Sequence, residues 1–263
     1  MKIKTSFLGM VVLLAFSQVF CHAQIVNSLG DARLINEPSG NRNDNNGGNT
    51  ASGVLIGVNA TAVDNIIVHD FSDLSAVAGQ TVTGATVTIG VATGFSAGNH
   101  GSVDDIITLS EIAVGNTGWT QGTGTITGTD NVATDGSVSF NNRSEFGDAT
   151  SVAWVDSTGS AVSDLSGALT LLGSQAGYNV GAAPATLTFN IDAVTAQRWV
   201  DTGLGGLAIG ATDNGDTNGR FNFLVTTAVN GATNISFQTV PEPSAALFLT
   251  LGIGAFVSKR RRK

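Results

Sequence analysis

Apolar and polar residues alternate along several short stretches of this sequence, and this period of two constrains the fold more than any other feature. In ATVTIGV (residues 85–91) apolar side chains stand at every second position. TLTFNID (residues 186–192) and FNFLV (residues 221–225) follow the same rule. Successive side chains of a β-strand point to opposite faces, so each stretch predicts a strand with one buried face. The predicted inward residues are Ala85, Val87, Ile89, Val91, Leu187, Phe189, Ile191, Phe221, Phe223 and Val225.

Residue pairs that favour tight turns lie between the alternating stretches. Asp135-Gly136 and Asn230-Gly231 are pairs that accept the positive φ angles of β-hairpins. The pattern predicts roughly ten strands and one helical turn near residues 194–199. Many antiparallel strands joined by hairpins predict an all-β fold, a two-sheet antiparallel β-sandwich of the jelly-roll type.

The first 23 residues predict a secretory signal peptide, folded as a signal helix. Lys2 and Lys4 precede an apolar run over residues 7–20, which ends in Cys21-His22-Ala23. A charged start, an apolar middle and a small-residue site are typical of such peptides, and they predict cleavage after Ala23. The run is shorter than the ~20 residues of a membrane-spanning helix, which disfavours a permanent anchor. Cleavage would remove the only cysteine.

The last two dozen residues combine an apolar run with a basic end. Residues 244–257 would span about 21 Å as a helix at ~1.5 Å per residue, less than a ~30 Å hydrocarbon core. The basic cluster over residues 259–263 favours the cytoplasmic side of a membrane. Pro241 and Pro243 keep the preceding chain extended and open to a processing enzyme. These features predict a hydrophobic helix that anchors the chain transiently in the inner membrane.

Pro241-Glu242-Pro243, the apolar run and the basic end together resemble the PEP-CTERM sorting signal of bacterial surface proteins. The resemblance implies that exosortase, a membrane processing enzyme, is a partner and cuts the chain near residues 241–243. It also implies delivery to the cell surface, the outer membrane or the extracellular matrix. A simple C-terminal anchor is the alternative. The predicted division is a signal peptide (residues 1–23), an ectodomain (residues 24–240) and a sorting segment (residues 241–263).

The predicted ectodomain is strongly acidic. It holds five arginines and no lysine against 19 acidic residues, a net charge of −14. Such a charge repels nucleic acid phosphates and anionic lipids, so we expect neither as a partner. Recurring strand patterns can bury a core, which argues against disorder.

Four stretches of the ectodomain together resemble the DNRLRE or disaggregatase-related family of bacterial surface β-sandwiches. They are DARLIN (residues 31–36), VLIGVNATAVDNIIVHDFSDLS (residues 54–75), VTGATVTIGV (residues 82–91) and the later segment of residues 187–211. Phe71-Ser72-Asp73-Leu74-Ser75 stands where that family has a Phe-Asp-Leu-Ser strand end. Some of its members are carbohydrate-binding modules, so the resemblance implies a β-sandwich that associates with extracellular polysaccharide.

The residues give little sign of catalysis. Residues 94–98 (GFSAG) fit the G-x-S-x-G hydrolase pattern, but a nucleophile elbow needs a following helix, and Asn99-His100-Gly101 does not start one. No acidic residue lies between Ser96 and His100, the only later histidine. Pairs of carboxylates could serve a glycosidase, but 19 acidic residues make such pairs uninformative. We read Asp104-Asp105 as a solvated loop, and we predict no catalytic residue.

The sequence predicts no metal site and no cofactor, although it leaves calcium open. Two histidines and no cysteine would remain after signal cleavage, too few for a structural zinc. The loop of residues 213–218 holds four Asp and Asn oxygen donors, which calcium prefers. The closing bidentate glutamate of a calcium loop is missing, and Asp and Asn are also good turn formers. We favour the turn.

Three tryptophans are candidates for stacking on sugar rings, because an aromatic face is flat and apolar. Trp154 lies in the alternating run SVAWVD, and Trp199 stands where the resembled family also has tryptophan; both are expected in the core. Trp119 lies in a Gly/Thr-rich stretch and is the predicted ligand-binding residue.

The leading prediction is an exported, non-enzymatic surface or matrix protein, structural or polysaccharide-associating, that an exosortase-type system sorts. The alternative is a secreted polysaccharide-active hydrolase or lyase.

Overall fold

The computed structural model describes residues 22–36, 54–58, 64–91, 102–122, 133, 136–179, 184–212, 220–223 and 233–240. These residues form a mostly β structure of antiparallel sheets, as the alternation predicts, with thirteen strands rather than about ten. The strands are β1 (His22–Asn27), β2 (Asp31–Asn36), β3 (Val54–Val58), β4 (Asp64–His69), β5 (Thr81–Gly90), β6 (Ile106–Ile112), β7 (Asn142–Ser144), β8 (Val152–Ala153), β9 (Leu169–Ala176), β10 (Thr186–Ile191), β11 (Gly206–Thr212), β12 (Arg220–Phe223) and β13 (Asn234–Val240).

Two α-helices accompany the strands. The first, α1 (Leu165–Ala168), is a single turn. The second, α2 (Ala193–Thr202), extends the helical turn that the sequence predicts near residues 194–199. In the part of the chain that the structure describes, no helix has the length and apolar character needed to cross a membrane. The predicted sorting helix and residues 1–21 of the predicted signal helix lie outside the described residues.

The strands form two large sheets. One has four strands in the order β1-β13-β5-β10, and the other has seven, in which β12-β3-β4-β11-β6-β9 are hydrogen-bonded neighbours and β2 pairs with β4. Strands β7 and β8 form a small ribbon. Every paired strand named here is antiparallel.

One hydrophobic cluster contains side chains from both large sheets. Val87, Phe189 and Phe237 come from the four-stranded sheet, and Leu109 and Leu207 from the seven-stranded sheet. The predicted inward residues of β5 and β10 are all buried, which confirms the alternation there. Phe221 is also fully buried, whereas Val225 and the side chain of Phe223 lie outside the described part of the structure. The cluster forms because the apolar face of each sheet is thereby removed from water.

A second cluster covers the opposite face of the seven-stranded sheet. Val68 and Ala208 belong to it, whereas their strand neighbours Ile67 and Leu207 belong to the first cluster, as expected of alternating side chains. The connection between β6 and β9 supplies the covering residues, among them Phe140. Residues of both faces of this sheet are therefore buried.

Candidate functional site

One predicted processing site lies in a strand, and the other directly follows a strand in the sequence. Ala23 is in β1, and Val240, which ends β13, directly precedes Pro241-Glu242-Pro243, which lie outside the described residues. His22 is paired with Thr239, whose Oγ1 donates a hydrogen bond of 2.9 Å to the carbonyl oxygen of His22. The start of β1 and the end of β13 are therefore neighbours.

Trp119, the predicted sugar contact, is buried. Its side chain is 5% exposed and belongs to the second cluster, and its Nε1 donates a 3.2 Å hydrogen bond to the carbonyl oxygen of Gly205. A ring held in this way has almost no face available for stacking on a sugar ring. Trp154 and Trp199 are fully buried, which confirms the prediction that they pack in the core.

A cavity of about 210 Å³ opens where β9, β10 and α2 meet. We call it the cleft. Sequence patterns do not indicate the cleft, because its walls come from segments up to 87 residues apart, the separation of Glu111 and Arg198. Its lining residues include Glu111, Leu171, Asn190, Asp192, Thr195 and Arg198.

Asp192 joins β10 to α2 at one wall of the cleft. Its Oδ1 accepts hydrogen bonds from the backbone N–H groups of Val194 (2.8 Å) and Thr195 (3.0 Å), and its Oδ2 accepts one from Thr195 Oγ1 (2.8 Å). Asp192 is thus the N-cap of α2, which satisfies N–H groups that have no partner within the helix. The hydrogen bonds from Thr195 and Val194 lower the pKa of this carboxyl against the opposing effect of desolvation.

Glu111 forms the buried wall of the cleft. It continues the inward face of β6 after Leu109, where an apolar residue would be expected, and is 8% exposed. Its Oε2 accepts hydrogen bonds from Arg198 Nη2 (2.6 Å) and Trp199 Nε1 (2.7 Å). A charged residue on the apolar face of an alternating strand is the sequence signal that could have identified this site.

Arg198 and Leu171 bring different chemistry to the cleft. The side chain of Arg198 is 46% exposed, and a guanidinium has five N–H donors, of which the contact with Glu111 uses one. Leu171 is 63% exposed on β9. The cleft therefore offers charge-assisted hydrogen bonds beside an aliphatic surface, an arrangement that can hold a small polar molecule with one apolar face.

His69 belongs to a separate, fully buried cluster at the end of β4. Its Nε2 lies 3.3 Å from Thr233 Oγ1, and within the described structure its Nδ1 has no hydrogen-bond partner. Asp31 of β2 is its cross-strand neighbour. Burial lowers the pKa of His69 to about 4, although the charge of Asp31 raises it in opposition. This cluster is closed to solvent, so it does not form a binding surface.

Other predicted features fall outside the described residues or differ from expectation. Ser96 and the loop of residues 213–218 lie outside the described residues. Asp105 is 1% exposed, so the expectation of a solvated Asp104-Asp105 loop was wrong at this position. Its Oδ2 accepts a 2.7 Å hydrogen bond from the backbone N–H of Ser102, which turns the carboxylate back onto its own loop.

Among the residues that the structure describes, no group of three or more His, Cys, Asp and Glu side chains could hold a metal ion.

Comparison of the sequence with protein-family models and with curated proteins finds no match.

Proposed function

We propose that the described strands form a two-sheet β-sandwich of the jelly-roll type, flanked by a signal helix and a hydrophobic sorting helix. The chain changes sheet between β4 and β5, β5 and β6, β9 and β10, β10 and β11, and β12 and β13. Strands distant in sequence become neighbours, β1 with β13 and β4 with β11. Two antiparallel sheets with repeated crossings between them are typical of a jelly roll, although the four and seven strands here exceed its usual eight. The cluster shared by both sheets supports the sandwich.

The proposed function is that of an exported, non-enzymatic protein of the cell surface or extracellular matrix that associates with polysaccharide. Export and exosortase sorting rest on the two terminal sequence segments. Association with polysaccharide is supported by one structural observation, the cleft that combines the Glu111–Arg198 pair, the Asn190 amide and exposed Leu171. Its volume of about 210 Å³ is below the ~300–1,000 Å³ of pockets for drug-sized ligands, so it suits one sugar unit of a chain.

The chemistry of a sugar fits this lining. Carboxylate, guanidinium and amide groups can each bond two neighbouring hydroxyl groups, and an aliphatic side chain can cover the C–H face of a sugar ring. Hydrogen bonds from several fixed groups also provide specificity.

Two variants and one control test the role of the cleft in glycan binding. Arg198→Lys keeps the charge but loses the planar fork of donors, and Leu171→Ala removes the exposed aliphatic surface. Each should weaken retention on the glycan that binds, whereas Leu29→Ala, which changes a residue 60% exposed outside the cleft, should not. Equal retention of all three on a glycan array would exclude the cleft as the contact.

Mass spectrometry of the released protein tests the sorting proposal. A C-terminus near residues 241–243 is expected, and a released chain intact through Lys263 would contradict it.

The alternative function is a polysaccharide hydrolase or lyase. The observation in its favour is that two carboxylates, Glu111 and Asp192, line the same cleft, as glycosidases require. Against it, Glu111 is bonded to Arg198 and Trp199, and Asp192 caps α2. Release of reducing ends or unsaturated sugars from any bound glycan would establish the alternative.

A further inference from the structure

The strands of the four-stranded sheet contain no lysine, arginine, aspartate or glutamate. The chain contains 12 Lys and Arg and 20 Asp and Glu residues, yet β1, β5, β10 and β13 contain none of them. In a protein with a net charge of −8, such a gap leaves one sheet with a neutral surface.

The outward side chains of this sheet form two rows that cross all four strands. The strand registers place Ile25 beside Ser236, Ser236 beside Thr86, and Thr86 beside Asn190. In the same way Asn27, Asn234, Thr88 and Thr188 form the second row. All eight residues are exposed or half-buried, whereas their strand neighbours, such as Val87 and Phe189, lie in the core. We call these eight residues the neutral face.

The neutral face offers hydroxyl and amide groups at regular spacing. Seven of its eight side chains are Thr, Ser or Asn, and each of these can both donate and accept hydrogen bonds. Neighbouring strands lie about 4.8 Å apart, and the two rows are two residues apart, or roughly 6.7 Å along each strand. The rows therefore make a patch about 14 Å across, which suits an extended chain better than a compact small molecule.

We infer that the neutral face binds a neutral, hydroxyl-rich polysaccharide chain. This inference rests on the proposed association with polysaccharide and names its chemical class. A neutral chain meets hydrogen-bonding groups without leaving any charge unpaired, whereas an anionic chain finds no cationic side chain on this face and is repelled by the net negative charge of the protein. At the β10 edge Asn190 belongs to both the neutral face and the cleft, so one chain can reach both.

The chemistry of the face fixes two properties of the binding. No ion pair forms, so retention does not depend on salt, unlike binding through surface charges. A single hydroxyl contact contributes little to affinity, because it replaces a hydrogen bond to water, so binding needs many contacts along the chain.

The test uses the full-length protein, purified in a non-glycosidic detergent, and affinity electrophoresis through gels that contain dextran, a neutral β-glucan, galactomannan or alginate. The double variant Thr88→Val with Thr188→Val removes two hydroxyls but keeps β-branched side chains that favour strands. The matched control, Thr117→Val with Thr212→Val, changes two exposed threonines outside the four-stranded sheet. Thermal unfolding of both variants checks that they fold.

We expect retention by at least one neutral glycan, equal at low and high salt. The double variant of the neutral face should bind at least fivefold more weakly, and the control should bind as the unmodified protein does.

Four results would overturn the inference. If Arg198→Lys weakens retention and the Thr88/Thr188 variant does not, binding takes place in the cleft alone. The proposed function would then still hold. Retention by alginate alone, weakened by salt, would show that the ligand is charged. If no glycan retains the protein, the proposed function and this inference fail together. A change of sedimentation coefficient in the Thr88/Thr188 variant without glycan binding would instead assign the face to contact between two copies.

Discussion

Mild acid should destabilise this protein through His69. The side chain is fully buried, and burial lowers its pKa from 6.5 to about 4, with Asp31 acting in the opposite direction. The unfolded chain therefore binds a proton at a higher pH than the folded chain does. Stability contributed by neutral His69 is fully present above pH 6.5 and is lost as the pH falls from 6.5 towards 4.

The size of the loss follows from the shift in pKa. One unit corresponds to about 1.4 kcal/mol, so a pKa lowered from 6.5 to about 4 gives a full loss of about 3 kcal/mol. By pH 5 about 2 kcal/mol of this should be gone. The carboxyl groups with lowered pKa values have ordinary values of 3.8 (Asp192) and 4.5 (Glu145), so they lose their contributions only at lower pH.

Urea unfolding followed by tryptophan fluorescence at pH 7.5, 6 and 5 measures this loss. The free energy of unfolding should fall by about 2 kcal/mol over this range, and His69→Gln should remove most of the pH dependence. Val68→Ala is the matched control, because it opens a hole at the neighbouring buried position of the same strand without changing a titratable group. It should lower stability equally at every pH.

A flat profile between pH 7.5 and 5 in the unmodified protein would refute the reasoning. So would a slope that His69→Gln leaves unchanged.

Three further substitutions have defined outcomes. Trp154→Phe replaces a fully buried indole by a smaller phenyl ring and removes the 3.1 Å hydrogen bond to the Ser139 carbonyl, and should cost about 2–4 kcal/mol in urea unfolding followed by circular dichroism. Gly205→Ala would bring a Cβ atom within 2.3 Å of the Ala113 carbonyl oxygen, so we expect a loss of about 3 kcal/mol or more in the same assay. Glu145→Gln should reduce the loss of stability below pH 4.5, because burial raises the pKa of Glu145 but hydrogen bonds from Asn142, Gly147, Ser151 and Ser139 lower it by more.

Each of these predictions has a control or a contrary result. Trp119→Phe is a matched change for Trp154→Phe, since it also breaks a buried indole hydrogen bond, and a harmless Trp154→Phe would contradict the assigned packing. Gly79→Ala should be much milder than Gly205→Ala, because a Cβ atom at Gly79 meets nothing within 4 Å, although its φ of +73° adds some strain. An acid profile that Glu145→Gln leaves unaltered would show that this carboxylate gains nothing from folding.

Local patterns in the sequence were enough to predict the strands and their faces. The alternation at Val87, Ile89, Leu187 and Phe189 is a property of the strand itself, so it identifies the buried side chains without knowledge of the partner sheet. The helical turn predicted near residues 194–199 corresponds to α2.

The second cluster and the cleft could not be predicted in this way. Trp119 lies in a Gly/Thr-rich stretch that is typical of a loop, and its burial depends on Gly205, 86 residues away. Glu111 and Arg198 are likewise distant in sequence, and only the packing of α2 against the sheets joins them. The continuity of the neutral face depends on the register of four strands, which the alternation within a single strand does not give.

The position of β13 determines how mechanical load would pass through this protein. The strand lies between β1 and β5, and Val240 at its end directly precedes the predicted sorting motif. Tension applied at that end, against a polymer held on the same sheet, would pull β13 lengthwise past both neighbours. The hydrogen bonds on its two sides would then share the force at once rather than open one after another. A tether at this end would therefore hold far better than one that peels an edge strand away.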